Sequence, residues 1–139
     1  MHVRGCEWVV DAHGCEPARL ADPEVLRTLF TRLISLLSLT PVAEPQWHRF
    51  PAAGHAYGGV TGVCLLAESH LTVHTYPEHG SLCLNVFCCR VRPDWDVAAT
   101  LRPIVGGAAF SARVRRIERD LALLTAPPQP LASGRLHSR

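Results

Sequence analysis

Apolar residues recur at three- and four-residue spacing through Val25, Leu26, Leu29, Phe30, Leu33, Leu36 and Leu37, one stripe that predicts a helix running to about Leu39. Asp22 reads as its N-cap, Pro23 fills the first turn, Glu24 faces the positive end of the helix dipole, and Pro41 ends it. Shorter patterns flank this helix. Residues 7–12 and 46–50 predict strands, and the nearly continuous apolar run from Val60 to Ala67 predicts a buried one. Strands at 69–76 and 81–89, joined by Pro77-Glu78-His79-Gly80, predict a hairpin. A second, weakly amphipathic helix starts at Asp94 or a neighbour and is stopped by Pro103, and Phe110 to Glu118 alternates as a last strand.

The order β-α-β-β-β-β-α-β predicts an α+β fold: a two-layer sandwich with a mostly antiparallel sheet and two helices on one face. The other face stays uncovered, and a second copy is its natural cover, so a homodimer is expected. A length of 139 residues allows one domain, placed at 1–120, with a flexible tail over 121–139 that carries Pro127-Pro128-Gln129-Pro130.

A net charge of +2 is too small to imply a nucleic-acid partner, and acids at Glu118 and Asp120 interrupt the run Arg113, Arg115, Arg116, Arg119, which reads as a solvated strand face. No apolar run is long enough to span a bilayer. The start Met1-His2-Val3-Arg4-Gly5 lacks the apolar core of a signal peptide, which predicts a cytoplasmic protein. The six cysteines include no C-x-x-C pair, so most, Cys83 and Cys88 among them, are expected to be small buried hydrophobes. His70, His74 and Cys83 lack the spacing and the second acid that a metal site needs, so no metal is expected.

The chemistry concentrates in the hairpin. Pairing Tyr76 with Ser81 sets His74 opposite Cys83, Thr72 opposite Asn85 and Glu68 opposite Cys89, which brings a thiol beside the Glu68-Ser69 bond. A serine hydroxyl held against the preceding carbonyl can convert that amide to an ester; β-elimination and hydrolysis then leave a pyruvoyl group. Contact geometry and strain at the scissile bond favour this, so a turn or bulge is expected at Glu68-Ser69.

The run Glu68-Ser69-His70-Leu71-Thr72-Val73-His74-Thr75-Tyr76-Pro77-Glu78 closely resembles the processing site of the bacterial S-adenosylmethionine decarboxylase proenzymes, with Tyr76 in place of tryptophan. The resemblance implies cleavage between Glu68 and Ser69, Ser69 as the pyruvoyl group that forms a Schiff base with substrate, His74 as the processing histidine and Cys89 as the proton donor. Trp47-His48-Arg49-Phe50 and Gly59-Val60-Thr61-Gly62 resemble two further family elements. These imply that Phe50 stacks on the substrate adenine and that the Thr61 hydroxyl assists processing. Glu78 is placed at the substrate's amino acid end, and His70 has either a structural or a substrate-binding role.

The implied activity is conversion of S-adenosylmethionine to its decarboxylated form for spermidine synthesis, by a homodimer of cleaved protomers. Neither metal nor pyridoxal phosphate is needed; all fourteen basic residues are arginine, so no lysine is available for a Schiff base. Asn85 stands where the family usually has aspartate, and the 51–58 loop is longer and carries His55. These departures keep open the same chemistry on ornithine, arginine or another amino acid, and a non-enzymatic paralogue acting as a binding partner.

Overall fold

The computed structural model describes residues 4–122. Most of the expected tail, from residue 123 on, lies outside the described residues, as do residues 1–3 of the start read above. Six strands, β1 (Arg4–Cys15), β2 (Gln46–Arg49), β3 (Val60–Leu66), β4 (Ser69–Tyr76), β5 (Ser81–Cys88) and β6 (Gly106–Asp120), form one sheet in the order β2-β3-β4-β5-β1-β6. Every neighbouring pair is antiparallel. The helices are α1 (Pro17–Leu20), α2 (Pro23–Leu36) and α3 (Val97–Val105).

Alternation along the strands sorts the side chains into two faces. Trp8, Val10, Leu71, Val73, Leu82, Leu84 and Val86 point to one face, where they pack with Leu26, Leu29, Phe30 and Leu33 of α2 and Leu101 of α3 into one core. The expected α+β arrangement therefore holds, with all helices on that face. Its edges are sealed by aromatic pairs: Trp47 lies 4.9 Å from Phe30 and Trp95 meets Trp8 edge-on at 6.1 Å. Gly62 makes room for Trp47, since a Cβ there would come within 2.2 Å of the indole.

The boundaries differ from those predicted where tertiary partners decide them. β1 runs well beyond residues 7–12 because it lies between β5 and β6 and is hydrogen-bonded on both sides. β6 is lengthened by the same pairing. α2 stops at Leu36, with Ser38 turning into the left-handed region at φ 53°. α3 is capped by Asp96, whose carboxylate accepts the Ala99 N–H at 2.9 Å, and runs through Pro103 to Val105. Pro103 forfeits one backbone donor late in the helix, while burial of Leu101 and Val105 on either side holds the last turn in place. α1 is a single turn, too short to leave a periodic signal.

Thr75 ties three elements together. Its buried hydroxyl donates to the Leu20 carbonyl at 2.7 Å and accepts the Val60 N–H at 2.8 Å. Thr75→Val keeps the shape but strands a buried donor and a buried acceptor. It should lower unfolding stability by about 1–3 kcal/mol, read as an earlier urea midpoint with unchanged slope.

Candidate active site

β3 and β4 are joined by Ala67 and Glu68 alone, since Leu66 already pairs with Ser69. The Ala67 N–H donates to the Thr40 carbonyl at 2.9 Å, which anchors the turn. Glu68 takes φ +53°. For a residue with a Cβ this left-handed conformation costs on the order of 1–2 kcal/mol, so the expected turn at Glu68-Ser69 is present and strained. The Ser69 hydroxyl oxygen accepts the Cys89 N–H at 2.9 Å, and the Cys89 thiol lies 3.7 Å from the Ala67 carbonyl. A cavity of about 490 Å³, lined by Ser38, Leu39, Glu68, Ser69, Cys89, Arg90 and Arg92 among others, opens beside the bond.

The hairpin register is as predicted for Tyr76↔Ser81, His74↔Cys83 and Thr72↔Asn85. The ladder ends at His70↔Phe87, so Glu68 lies in the turn and not opposite Cys89. The thiol instead approaches the turn at the Ala67 carbonyl from beyond the strand end, one residue past Cys88.

A second group forms at the other end of β4. The His74 Nδ1 and the Thr61 hydroxyl are 2.9 Å apart. Both line a cavity of about 580 Å³ with Phe50, Glu78, His55, Tyr57 and Tyr76. Phe50 is half exposed at its mouth and meets His48 edge-on at 4.6 Å. Five residues of strand, roughly 16 Å, separate Ser69 from His74. The two also alternate to opposite faces: Ser69 with Leu71 and Val73 on the helix side, His74 on the open side. Within one protomer the two groups lie at opposite ends and on opposite faces of β4.

On the open face, His70 Nε2 is 2.8 Å from the Asn85 Oδ1, and the Asn85 amide donates to Glu7 Oε2 at 2.7 Å. The Arg119 guanidinium donates twice to the other Glu7 oxygen, at 3.1 and 2.5 Å. The His70 ring stacks on Phe87 at 5.6 Å. Sequence reasoning named His70 and Asn85 but missed Glu7 and Arg119, since nothing local marks residues 78 and 112 positions away as partners of the same group. Burial alone would raise the Glu7 pKa; the hydrogen bonds from Asn85 and Arg119 outweigh it and hold the carboxyl below the ordinary 4.5.

Cys83, expected in the core, instead lies half-buried on the open face, its thiol 3.4 Å from an Asp11 carboxylate oxygen. The alternation that buries Leu82 and Leu84 forces it outward. Cys88 and Cys15 do lie in the core, where burial pushes their thiols up to about 12 and about 11. Among the described residues no cluster of three metal-ligating side chains forms, and no helix is long and apolar enough to cross a membrane.

A family model for S-adenosylmethionine decarboxylase matches residues 6–120. The chain is 33% identical over 130 residues to an S-adenosylmethionine decarboxylase proenzyme of Prochlorococcus marinus, covering 92% of this chain and 98% of that one. It is 35% identical over 98 residues to the proenzyme of Pyrococcus furiosus, covering 70% of this chain and 66% of that one. The fold matches a crystal structure of the adenosylmethionine decarboxylase from Aquifex aeolicus with a TM-score of 0.64 at 22% identity, covering 92% of this chain and all of that one. The chain belongs to the S-adenosylmethionine decarboxylase family.

The lowered Glu7 pKa carries a stability consequence. The folded chain binds this proton less readily than the unfolded one, so ionised Glu7 stabilises the fold above about pH 4.5 and that contribution is lost as pH falls through the folded value. Glu7→Gln should therefore flatten the acid limb of a stability–pH profile and reduce stability at neutral pH. An unchanged acid limb would show that the carboxyl is not held down.

Proposed function

We propose that this chain is a self-processing, pyruvoyl-dependent decarboxylase of S-adenosylmethionine, cut between Glu68 and Ser69 and supplying the aminopropyl donor of spermidine synthesis. The observation that carries the reading is the strained Glu68 turn next to a serine whose oxygen is already fixed by the Cys89 N–H. That hydrogen bond uses a lone pair of the oxygen and leaves its proton free for a base. Attack of the Ser69 Oγ on the Glu68 carbonyl carbon forms an ester while the C–N bond breaks and the nitrogen takes the proton. Loss of the residue 69 α-proton then expels the Glu68 carboxylate. The dehydroalanine left behind takes up water and releases ammonia. Relief of the left-handed Glu68 conformation favours the forward direction.

The residues at the site fit the group that this chemistry would make, because it arises from Ser69 itself. A pyruvoyl group supplies an electron sink for loss of carbon dioxide. The Cys89 thiol lies next to the turn and is the donor that returns a proton to the product carbon. Phe50 offers an aromatic face to an adenine and Glu78 a carboxylate to an amino group, both lining one cavity with His74 and Thr61.

Two half-sites far apart on one strand support a homodimer in which each copy completes the other's site. The open face carries exposed Val9 and Leu65 and half-buried Phe87, apolar area that a second copy would cover. In this reading His74 and Thr61 act on the Ser69 of the partner. Cells are the compartment where the substrate and the free thiols of the chain are both kept, so the protein is placed in the cytoplasm.

Intact mass under denaturing conditions tests the cut: the native chain should give fragments 1–68 and 69–139, the latter with a blocked N-terminus, and Ser69→Ala one full-length species. Cys89→Ala should be cut yet lose about 100-fold or more in turnover; near-normal turnover would remove Cys89 from its role. Uncut Ser69→Ala and uncut His74→Ala chains, refolded together, should yield fragments from the His74→Ala partner. Persistent full-length chains in that mixture would place His74 on its own Ser69 and dismiss the shared site.

A further inference from the structure

The hydrogen bonds on the open face leave one consistent assignment of donors and acceptors. A carboxylate only accepts, and an asparagine amide has one donating and one accepting end. Glu7, 13% exposed and gripped by the Arg119 guanidinium, is ionised at neutral pH. The Asn85 amide must therefore turn its NH₂ toward Glu7 and its oxygen toward His70, as the 2.7 Å and 2.8 Å contacts have it. An amide oxygen cannot donate, so the His70 Nε2 carries the proton. Nδ1 makes no hydrogen bond among the described residues, and stacking on Phe87 keeps the ring in place.

We propose that Glu7, acting through Asn85, is a positioning residue that holds His70 with its proton on Nε2 and leaves Nδ1 without a hydrogen-bond partner on the open face of the sheet, one residue along the chain from Ser69. Cleavage would make residue 69 a chain end held covalently by residue 70, so this imidazole is the titratable group nearest the new terminus along the chain. The groups facing it are Glu7 and Arg119 through Asn85, with Phe87 from β5 and Leu65, opposite on β3. Arg119 steadies the carboxylate and sets the far end of the chain of contacts. The consequence for turnover rests on the function proposed above; the tautomer does not.

Nitrogen-15 spectra of chain labelled at histidine read the tautomer directly. In native protein, recorded at a pH where the imidazoles are neutral, the His70 proton should lie on Nε2. Glutamine in place of Glu7 can donate as well as accept, which frees the Asn85 amide to turn, so Glu7→Gln should give a mixture of the two forms and a turnover loss of roughly tenfold. Melting curves recorded alongside separate this from global unfolding. The double variant Glu7→Gln/Asn85→Asp moves the carboxylate next to His70 and should restore the Nε2–H form together with most of the turnover. A native Nδ1–H form, an unchanged Nε2–H spectrum in Glu7→Gln, or a double variant that fails to restore the tautomer would each overturn the proposal. Should the double variant not fold, the Glu7→Gln spectrum decides alone. The uncut Ser69→Ala chain keeps the same four side chains, so the tautomer is measurable there even if the native chain never cuts itself. Failure to cut would sink the proposed function and leave this inference standing.

Discussion

The register of the β4–β5 hairpin is the constraint from which the rest of the site follows. It is set at the turn, where Gly80 adopts φ +60°, donates its N–H to the Pro77 carbonyl at 3.1 Å and accepts the Cys15 N–H at 2.9 Å. With Tyr76 opposite Ser81, Leu82, Leu84 and Val86 enter the core, and Asn85 and Phe87 come level with Thr72 and His70. A slip of one residue would turn every side chain of β5 to the other face. The leucines would then meet water, Asn85 would be buried without Glu7, and the Cys89 N–H would leave the Ser69 oxygen. Stability of the core and geometry of the site therefore depend on one pairing.

The same pairing divides the polar groups between two ends of the sheet. β4 is continuous from Ser69 to Tyr76, and a regular strand cannot fold its own ends together. The helix side is filled by α2 and α3, and among the described residues no helix packs on the open side. Separation along a rigid strand, opposite faces and an uncovered sheet are the grounds on which we propose that a site using both ends is completed by a second copy. The strain at Glu68 is local by contrast, and is set by a two-residue connection anchored through Thr40.

Much of this was legible in the sequence because the signals were local. The α2 stripe, the Asp22 cap and the Tyr76–Ser81 register all rest on neighbours within a few residues, and the Glu68-Ser69 turn follows from two strands with almost nothing between them. What escaped was set by distant partners. The length of β1 depends on β5 and β6 flanking it, and α3 continues past Pro103 because Val105 has a core to enter. Cys83 was mistaken for a core residue by its type, when alternation from Leu82 had already turned it outward. The pairing of Glu7 with Asn85 crosses most of the chain.

Asn85 illustrates how a single-residue comparison misleads. Read alone, the change from the family's aspartate removes a negative charge from the neighbourhood of the site. In three dimensions a carboxylate is still present one hydrogen bond further out, at Glu7, and it is held ionised by Arg119 and by Asn85 itself. The amide passes on the acceptor character of that carboxylate, because an oxygen faces His70 in either arrangement. It does not pass on the full charge at contact distance, where coulombic attraction is strongest. Asparagine at 85 with glutamate at 7 thus sets which nitrogen of His70 donates across the sheet, the choice an adjacent aspartate would also set, but with the charge kept one hydrogen bond away.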